Sequence, residues 1–316
     1  ERWEKEVERL EEDLWKLKEK VSDDIDLQTA IDRVGKPSEG ALFLLRDLAV
    51  DYGVDLDGLG LWAWDEDDEH KGPDAWVKGG WSRVIEHLAE GLDIRLSTPV
   101  KSVRWRDGVR VWTADEELEA ETCIVAVPLG VLKAGNIQFD PFLPNSVRKA
   151  IAAFEPGAAH VVAVRLPHSV LPDAEILLDA SFHPDTPHTV YNFEPITGEP
   201  VVAGMSCGRL AAVMEAMGPE MAAEQLMASL RRMLGDVPDP VGIVASGWLD
   251  DPFTLGAYSY CPPGVQNDER EPFLRLHDHK LVFVGEHASV DYPGTLHGAL
   301  DTGKKAAKLL LRRLEA

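Results

Sequence analysis

The chain has 316 residues, 45% of them hydrophobic and 28% charged, a globular composition that excludes collagen-like, prion-like and wholly disordered classes. Asp plus Glu number 55 against 32 Lys plus Arg, a formal net charge of −23; such a surface repels phosphate backbones, disfavours nucleic acid as a partner and attracts cationic small molecules or basic peptides. No run approaches the roughly 18 apolar residues of a bilayer span, and Cys123, Cys207 and Cys261 are too few and scattered for a disulfide framework or zinc site, so the expectation is a cytoplasmic, reducing setting with no membrane span and no metal.

Residues 1–5 carry no apolar leader and no initiator Met, so the chain is expected to begin inside a longer product. Trp3, Val7, Leu10, Leu14, Leu17 and Val21 recur at steps of three and four between charges, the spacing of an amphipathic helix. Shorter helices are expected over 27–34 and 41–50, followed by an irregular acidic loop over 64–69. A helix over 82–92 has Ser82 as its expected N-cap and Gly91 near its end. Strands are expected over 94–96, 100–105 and 109–113, with Asp107-Gly108 turning a hairpin between the last two. The apolar run 122–127 reads as a strand buried on both faces, broken by Pro128-Leu129-Gly130. A helix over 146–154 follows, then strands over 160–166, 174–178, 190–193 and 200–204. Helices over 210–217 and 221–234, strands over 241–246 and 281–284, and a long helix over 294–314 complete the chain. The mixture is α/β or α+β, in two interleaved domains with no repeat and no clear linker.

Gly58-Leu59-Gly60-Leu61-Trp62-Ala63 has the spacing of a dinucleotide fingerprint. It lacks the preceding strand and following helix that bring a helix N-terminus to a pyrophosphate. Gly204-Met205-Ser206-Cys207-Gly208 matches a nucleophile elbow, and Asp250 or Asp251 and His287 or His297 follow in the order of a triad; a small-residue turn between strand and helix reads the same way. His277-Asp278-His279 and the His183/His188 pair are the best metal spacings, in loop-like surroundings where surface histidines are the plainer reading. The strongest constellation is C-terminal. Leu281-Val282-Phe283-Val284-Gly285-Glu286-His287 and then Asp291-Tyr292-Pro293-Gly294-Thr295-Leu296-His297-Gly298-Ala299 place an acid after a core strand and a small-residue turn before a helix. That suits a nucleotide cofactor: Glu286 accepts from ribose or ribityl hydroxyls, and the N–H groups of Thr295 and Leu296 face a polar ring edge. A capped helix after a core strand is the structural alternative.

These last residues resemble the C-terminal flavin signature of the flavin-containing amine oxidases, above all polyamine oxidases and lysine-specific histone demethylases. Four segments agree in order. They are Trp64-Asp65-Glu66-Asp67-Asp68-Glu69 with Val77-Lys78-Gly79-Gly80-Trp81; Leu88-Ala89-Glu90-Gly91-Leu92 with Thr98-Pro99-Val100, similar to the strand whose backbone meets the adenine; Val127-Pro128-Leu129-Gly130-Val131-Leu132-Lys133; and Trp248 with Asp251-Pro252-Phe253 and Gly256-Ala257-Tyr258-Ser259-Tyr260, similar to the substrate-site aromatic motif. The resemblance implies the later two-thirds of an FAD-binding amine-oxidase fold. Residues 1–78 would be the helical part of a substrate domain, 136–262 its remainder, and 79–135 and 263–316 FAD-binding segments. It implies oxidation of a C–N bond of a (poly)amine or related secondary amine to an imine, with oxygen as acceptor. The FAD would be non-covalent, because Ala257 stands where monoamine oxidases carry the flavin-linking Cys.

By the same resemblance Tyr258 is one wall of an aromatic cage at the flavin face and Thr295 stands at the other wall. Trp248 and Phe253 line the pocket, and Val100, Pro128, Gly285, Glu286, Thr295 and Leu296 touch the cofactor. Two features depart from the family. Its N-terminal βαβ unit is absent, which implies an N-terminal chain or segment as partner and leaves a homo-oligomer open. His160 replaces the Lys that holds a water beside flavin N5, and is the implied catalytic counterpart. A non-catalytic flavin-fold binding protein and, remotely, a hydrolase using Ser206 are the alternatives.

Overall fold

The computed structural model describes residues 2–65, 75–181, 183, 185–187 and 189–314; residues 66–69 of the expected acidic loop, and His188, lie outside them. The heptad-like stripe of α1 (Arg2–Lys18) packs on α2 (Leu27–Val34) and α3 (Glu39–Tyr52), burying Leu14, Ile31 and Leu45. Asp26 caps α2, its carboxylate accepting from Thr29 N at 2.8 Å.

Helix α4 (Ser82–Ala89) is shorter than expected and is not capped by Ser82. Gly79 and Gly80, both at φ +89°, turn the chain so that Trp81 already has helical dihedrals, and Ser82 falls inside the first turn. Residues 94–96 form no strand; Ile94 and Leu96 are exposed and join no strand ladder among the described residues. A sheet follows, of β1 (Ser102–Arg104), β2 (Val109–Trp112), with Gly108 at φ +107° in the turn, and β3 (Glu117–Ala120). The sequence reading missed β3 because its charges mark an edge: Arg110 on β2 pairs with Glu117 and Glu119 at 3.5 and 3.0 Å.

β4 (Cys123–Val125) is buried on one face only, since Ile124 is 40% exposed. Pro128 does not end regular structure but opens α5 (Leu129–Ala134), standing at the cap position where its missing N–H leaves no helical bond unmade. A Cβ on Gly130 would lie 2.2 Å from Leu255 O, so this helix rests directly on the backbone of residues 254–255. β5 (Gln138–Asp140) runs parallel to β1 and completes the sheet β3-β2-β1-β5; α6 (Asn145–Ala153) and β6 (Glu155–Pro156) follow.

The antiparallel sheet is built from β7 (Ala159–Arg165), β8 (Ile176–Leu178), β9 (Thr189–Asn192) and, after the short α7 (Glu194–Thr197), β10 (Val201–Cys207). Helices α8 (Gly208–Met217) and α9 (Pro219–Leu234) cover one face, and β11 (Gly242–Ala245) completes the order β11-β7-β10-β9-β8. Val162, Val164, Val202 and Leu226 form the core between sheet and helices. β12 (Ser259–Tyr260) pairs β6, a 3₁₀ segment covers Asn267–Leu274, β13 (Leu281–Phe283) pairs parallel with β4, and α10 (Leu296–Leu314) closes the chain. Among the described residues no helix is long and apolar enough to cross a membrane.

Two stability predictions follow from this packing. Gly130→Ala is expected to cost about 1–3 kcal/mol, because the new methyl meets backbone rather than a movable side chain; the urea midpoint reads it. Asp179 is buried and accepts from Ser229 Oγ at 2.8 Å and Arg232 Nη2 at 2.5 Å. Burial works to raise its pKa, but these donors and Ser181 outweigh it and leave the carboxyl below its usual value. Its contribution is therefore complete above the unfolded-state pKa of about 3.9 and is lost as pH falls through the folded value. Asp179→Asn is expected to be less stable than the native chain at pH 7, with the difference shrinking on acidification below about pH 4; a constant difference across that window overturns the assignment.

Candidate active site

The C-terminal signature folds around one carboxylate. Two residues beyond β13 stands Gly285, whose φ of +136° and position over the His287 ring, 2.9 Å from where a Cβ would sit, admit no side chain. The next residue, Glu286, accepts from Ser259 N at 3.1 Å, Ser259 Oγ at 2.8 Å and Gly294 N at 2.8 Å. A carboxylate offers about four acceptor positions, so one remains for a hydroxyl from a ligand. The Ser259 hydroxyl that donates to Glu286 accepts from Arg270 Nη1 at 2.8 Å. Arg270 is fully buried; it also donates to His287 O at 3.0 Å and Asn267 Oδ1 at 3.2 Å and lies 4.0 Å over the Phe154 ring. Burial, then the adjacent guanidinium, pushes the His287 pKa down to about 3, so this imidazole is a neutral ring stacked edge-on against Phe273.

Thr295 stands immediately before α10 and acts as its cap: Oγ1 accepts from Gly298 N and donates to Tyr292 O, both at 3.0 Å. Its hydroxyl is thus committed to the helix end, while the N–H of Leu296, first in the helix, has no intrahelical acceptor. Tyr258 packs between glycines: a Cβ on Gly53 would come within 2.9 Å of its ring and one on Gly294 within 3.7 Å. Its hydroxyl donates to Val50 O, and burial, reinforced by Cys207 and Asp51, holds it protonated far above the usual phenol range. A cavity of about 260 Å³ lies beside Val50, lined among others by Phe43, Asp55, Met205, Cys207 and Arg209. Trp248 and Phe253, on the same loop as Tyr258, are largely exposed. Val100 packs against the core around Val103 and Trp105, and Pro128 sits at the head of α5.

His160 is placed elsewhere. It is opposed in register by Ser206, on the face of the β7–β10 pair that carries Val162 and Val164 toward α8 and α9. Tyr258 has Cys207 and Tyr191 as neighbours, which alternate to the other face. The structure therefore sets His160 with Ser206 and Glu215 and does not bring it to Tyr258. Burial lowers its pKa, partly offset by Glu215.

Ser206 lies inside β10 rather than in a turn and is buried, and His287 is stacked on Phe273, so neither is available as nucleophile and base. The chain actually turns at Gly208, at φ +55°. In the 58–63 segment the N–H groups are already taken: Gly60 by Cys261 O, Leu61 by Ile25 O and Trp62 by Asp24 Oδ1. That segment therefore makes no phosphate cradle. No group of three or more potential metal ligands occurs among the described residues.

Sequence reasoning missed Arg270 and the hydroxyl of Ser259. Arg270 lies in Asn267-Asp268-Glu269-Arg270-Glu271, which reads as a solvated charge run. One broad apolar surface remains: α4 has no buried residue, and Trp81, Ile85, Leu88, Leu92, Ile94 and Leu96 are all exposed.

The family described as flavin containing amine oxidoreductase matches residues 2–311. Polyamine oxidase 4 of Oryza sativa subsp. japonica is 35% identical over 265 residues, which is 83% of this chain and 54% of that protein. Polyamine oxidase 3 of the same plant is 33% identical over 313 residues, 95% of this chain and 64% of that protein. Lysine-specific histone demethylase 1 homolog 1, also from Oryza sativa subsp. japonica, is 30% identical over 280 residues, 85% of this chain and 33% of its own length. The chain thus spans between half and two-thirds of the length of these two polyamine oxidases. Among solved structures, cyclohexylamine oxidase from Brevibacterium oxydans superposes with a TM-score of 0.81 at 21% identity, over 99% of this chain and 74% of that one. This is a likeness of fold, and it agrees with the mixed α/β architecture expected from the sequence.

Ser259→Ala is expected to destabilise the protein by about 1–3 kcal/mol, since it strips a hydrogen bond from both the buried Arg270 and Glu286. Urea unfolding measures it, and a change below about 0.5 kcal/mol would show that the hydroxyl does not connect the two charges.

Proposed function

The chain belongs to the flavin containing amine oxidoreductase family, and from that premise we propose that it is the ring- and substrate-holding part of an FAD-dependent amine oxidase. The reaction is oxidation of a C–N bond of a (poly)amine or related secondary amine to an imine, with oxygen as acceptor. The observation that carries this reading is the Glu286 clamp, which holds Gly294 and Ser259 and so sets Tyr258 beside the start of α10.

The residues fit FAD at one end of the cofactor. Glu286 has an acceptor position left for a ribityl or ribose hydroxyl, and the unpaired N–H at Leu296 suits a polar ring edge. Ala257 supplies no thiol, which keeps the flavin non-covalent. The pyrophosphate end finds no glycine fingerprint in this sequence. We assign that function to an N-terminal segment or chain, and the bare apolar face of α4 and residues 92–96 is the surface it would cover. Residues 1–78 and 136–262 then make the substrate domain, and 79–135 and 263–316 the FAD-binding segments.

When bound, FAD supplies the acceptor for the hydride that leaves the carbon beside the amine nitrogen. The chain's own groups do the rest. Tyr258 presents a ring held still by Val50, Gly53 and Gly294 and kept neutral, a face that attracts the cationic or partly cationic amine. Trp248 and Phe253 extend the apolar lining, and the cavity beside Val50 receives the substituent. The net charge of −23 draws cations toward the site.

The full-length protein is expected to be yellow, to release FAD on denaturation, and to lose its visible flavin absorbance when spermidine or a secondary alkylamine is added without oxygen. Tyr258→Ala should lower kcat/KM roughly tenfold, the worth of a partly desolvated cation–π contact. Glu286→Gln should weaken FAD retention by about the same factor. A correctly folded but colourless full-length protein overturns the reading.

A further inference from the structure

One carboxylate on α8 reaches in two directions. Glu215 Oε1 accepts from the backbone N–H groups of Leu249 and Asp250, at 2.8 and 2.9 Å. Those amides begin the loop of residues 248–258, which carries Trp248, Phe253 and Tyr258. Trp248 O in turn accepts from Gly256 N at 2.9 Å and Thr254 Oγ1 at 2.6 Å, so the loop is closed on itself and fixed at its base by Glu215. The other oxygen, Oε2, is buried and has no hydrogen-bond partner among the described residues; the same holds for His160 Nδ1 and Ser206 Oγ.

These three atoms belong to one place. His160 and Ser206 are directly opposed across β7 and β10, so their Cβ atoms stand about 5 Å apart on the face that α8 covers. Glu215 is the charged group that acts on His160. Both His160 and Ser206 are more than nine-tenths buried. Buried polar atoms are almost always hydrogen-bonded, and a small polar cleft with two to four such groups is the setting of a structural water.

We propose that Glu215, His160 and Ser206 bind one internal water molecule between α8 and the β7–β10 pair, and that Glu215, held by this water, is the positioning residue for the aromatic loop that presents Tyr258. The water donates to Glu215 Oε2 and to the unprotonated Nδ1 of a neutral His160, and accepts from the Ser206 hydroxyl. Both hydrogens of the water are then used. This gives His160 a role within the scaffold on the helix side of the sheet. The importance of the loop for amines rests on the function proposed above; the water and the anchoring of the loop do not.

Two measurements on the full-length protein test it. A crystal structure that resolves waters should show one within about 3.2 Å of all three atoms; a direct His160–Glu215 hydrogen bond with no water overturns the site. In hydrogen exchange, Glu215→Ala should speed the Leu249 and Asp250 amides at least tenfold, whereas Glu215→Gln, whose amide oxygen still accepts, should keep them within about threefold of native. Unchanged exchange in Glu215→Ala overturns the anchoring. With amine as substrate, Glu215→Ala should raise KM about tenfold with kcat within about threefold, and Glu215→Gln should restore KM. Loss of kcat and KM effects together with a colourless protein would count against the flavin reading instead, leaving the exchange result to decide the anchor.

Discussion

A guanidinium that cannot lose its proton and is shut away from water must find hydrogen bonds on all sides. In this protein that requirement falls on Arg270. Its donors reach Ser259, His287 O, Asn267 and the Cys261 sulfur, and its plane covers Phe154. The partners come from four stretches of chain: β12 with the adjoining Cys261, the turn after β13, the 3₁₀ segment that carries Arg270 itself, and the end of α6. Among the described residues the charge has no carboxylate in direct contact. Its counter-charge is Glu286, one hydroxyl away through Ser259. Separating the two charges by a hydroxyl leaves the carboxylate with acceptor capacity directed outward. A direct bidentate pair would have consumed that capacity on both oxygens.

The antiparallel sheet solves a different problem, that of serving a cavity and a helix layer at once. Met205 and Cys207 line the cavity beside α3, while Gly204, on the alternate face of the strand, lies against Leu226 of α9. Gly204 has no side chain because a Cβ there would come within 2.9 Å of Leu226 and Pro187. The G-x-S-x-G spacing is therefore a packing pattern of this sheet: one glycine yields to a helix, one turns the chain, and the serine between them is a buried polar residue.

Helices with a clear 3.6 period, α1, α2 and α9, could be read from the sequence because one apolar stripe decides both their existence and their burial. The strands of the antiparallel sheet around β7 and β10 were legible for the same reason at period two. β3 was not, since an edge strand made of Glu-Leu-Glu-Ala owes its structure to Arg110 on its neighbour. The run 94–96 looked like a strand, but extended apolar residues become one only when a partner supplies the ladder. In the site, Glu286, Gly285 and Tyr258 stood out because their motif is distinctive. Arg270, Ser259 and Glu215 did not, because a charged or hydroxyl residue reads as solvated until the packing around it is known. His160 illustrates the opposite hazard. Its place in the strand could be read, but its facing toward α8 and α9, beside Ser206, follows only from the register of β7 on β10.

Tyr258 and Ser259 are consecutive, and that adjacency links the two halves of the site. β12 pairs with β6 and sets the Ser259 hydroxyl between Arg270 and Glu286, while Tyr258, in the bend just before the strand, lays its ring against Gly53 and Gly294 and donates to Val50 O. Gly157 N on Tyr258 O and Ala257 N on Gly157 O fix the height of this dipeptide. Gly157 itself has room for no Cβ, which would meet Tyr258 O at 2.9 Å and Gly53 O at 3.0 Å. The position of the Tyr258 backbone is thus tied to the strand whose serine satisfies one buried charge. A substitution that disturbs the Arg270 network must either expose that charge or shift β12, and a shift of β12 moves the Tyr258 backbone with it, because Gly157 N is bonded to Tyr258 O.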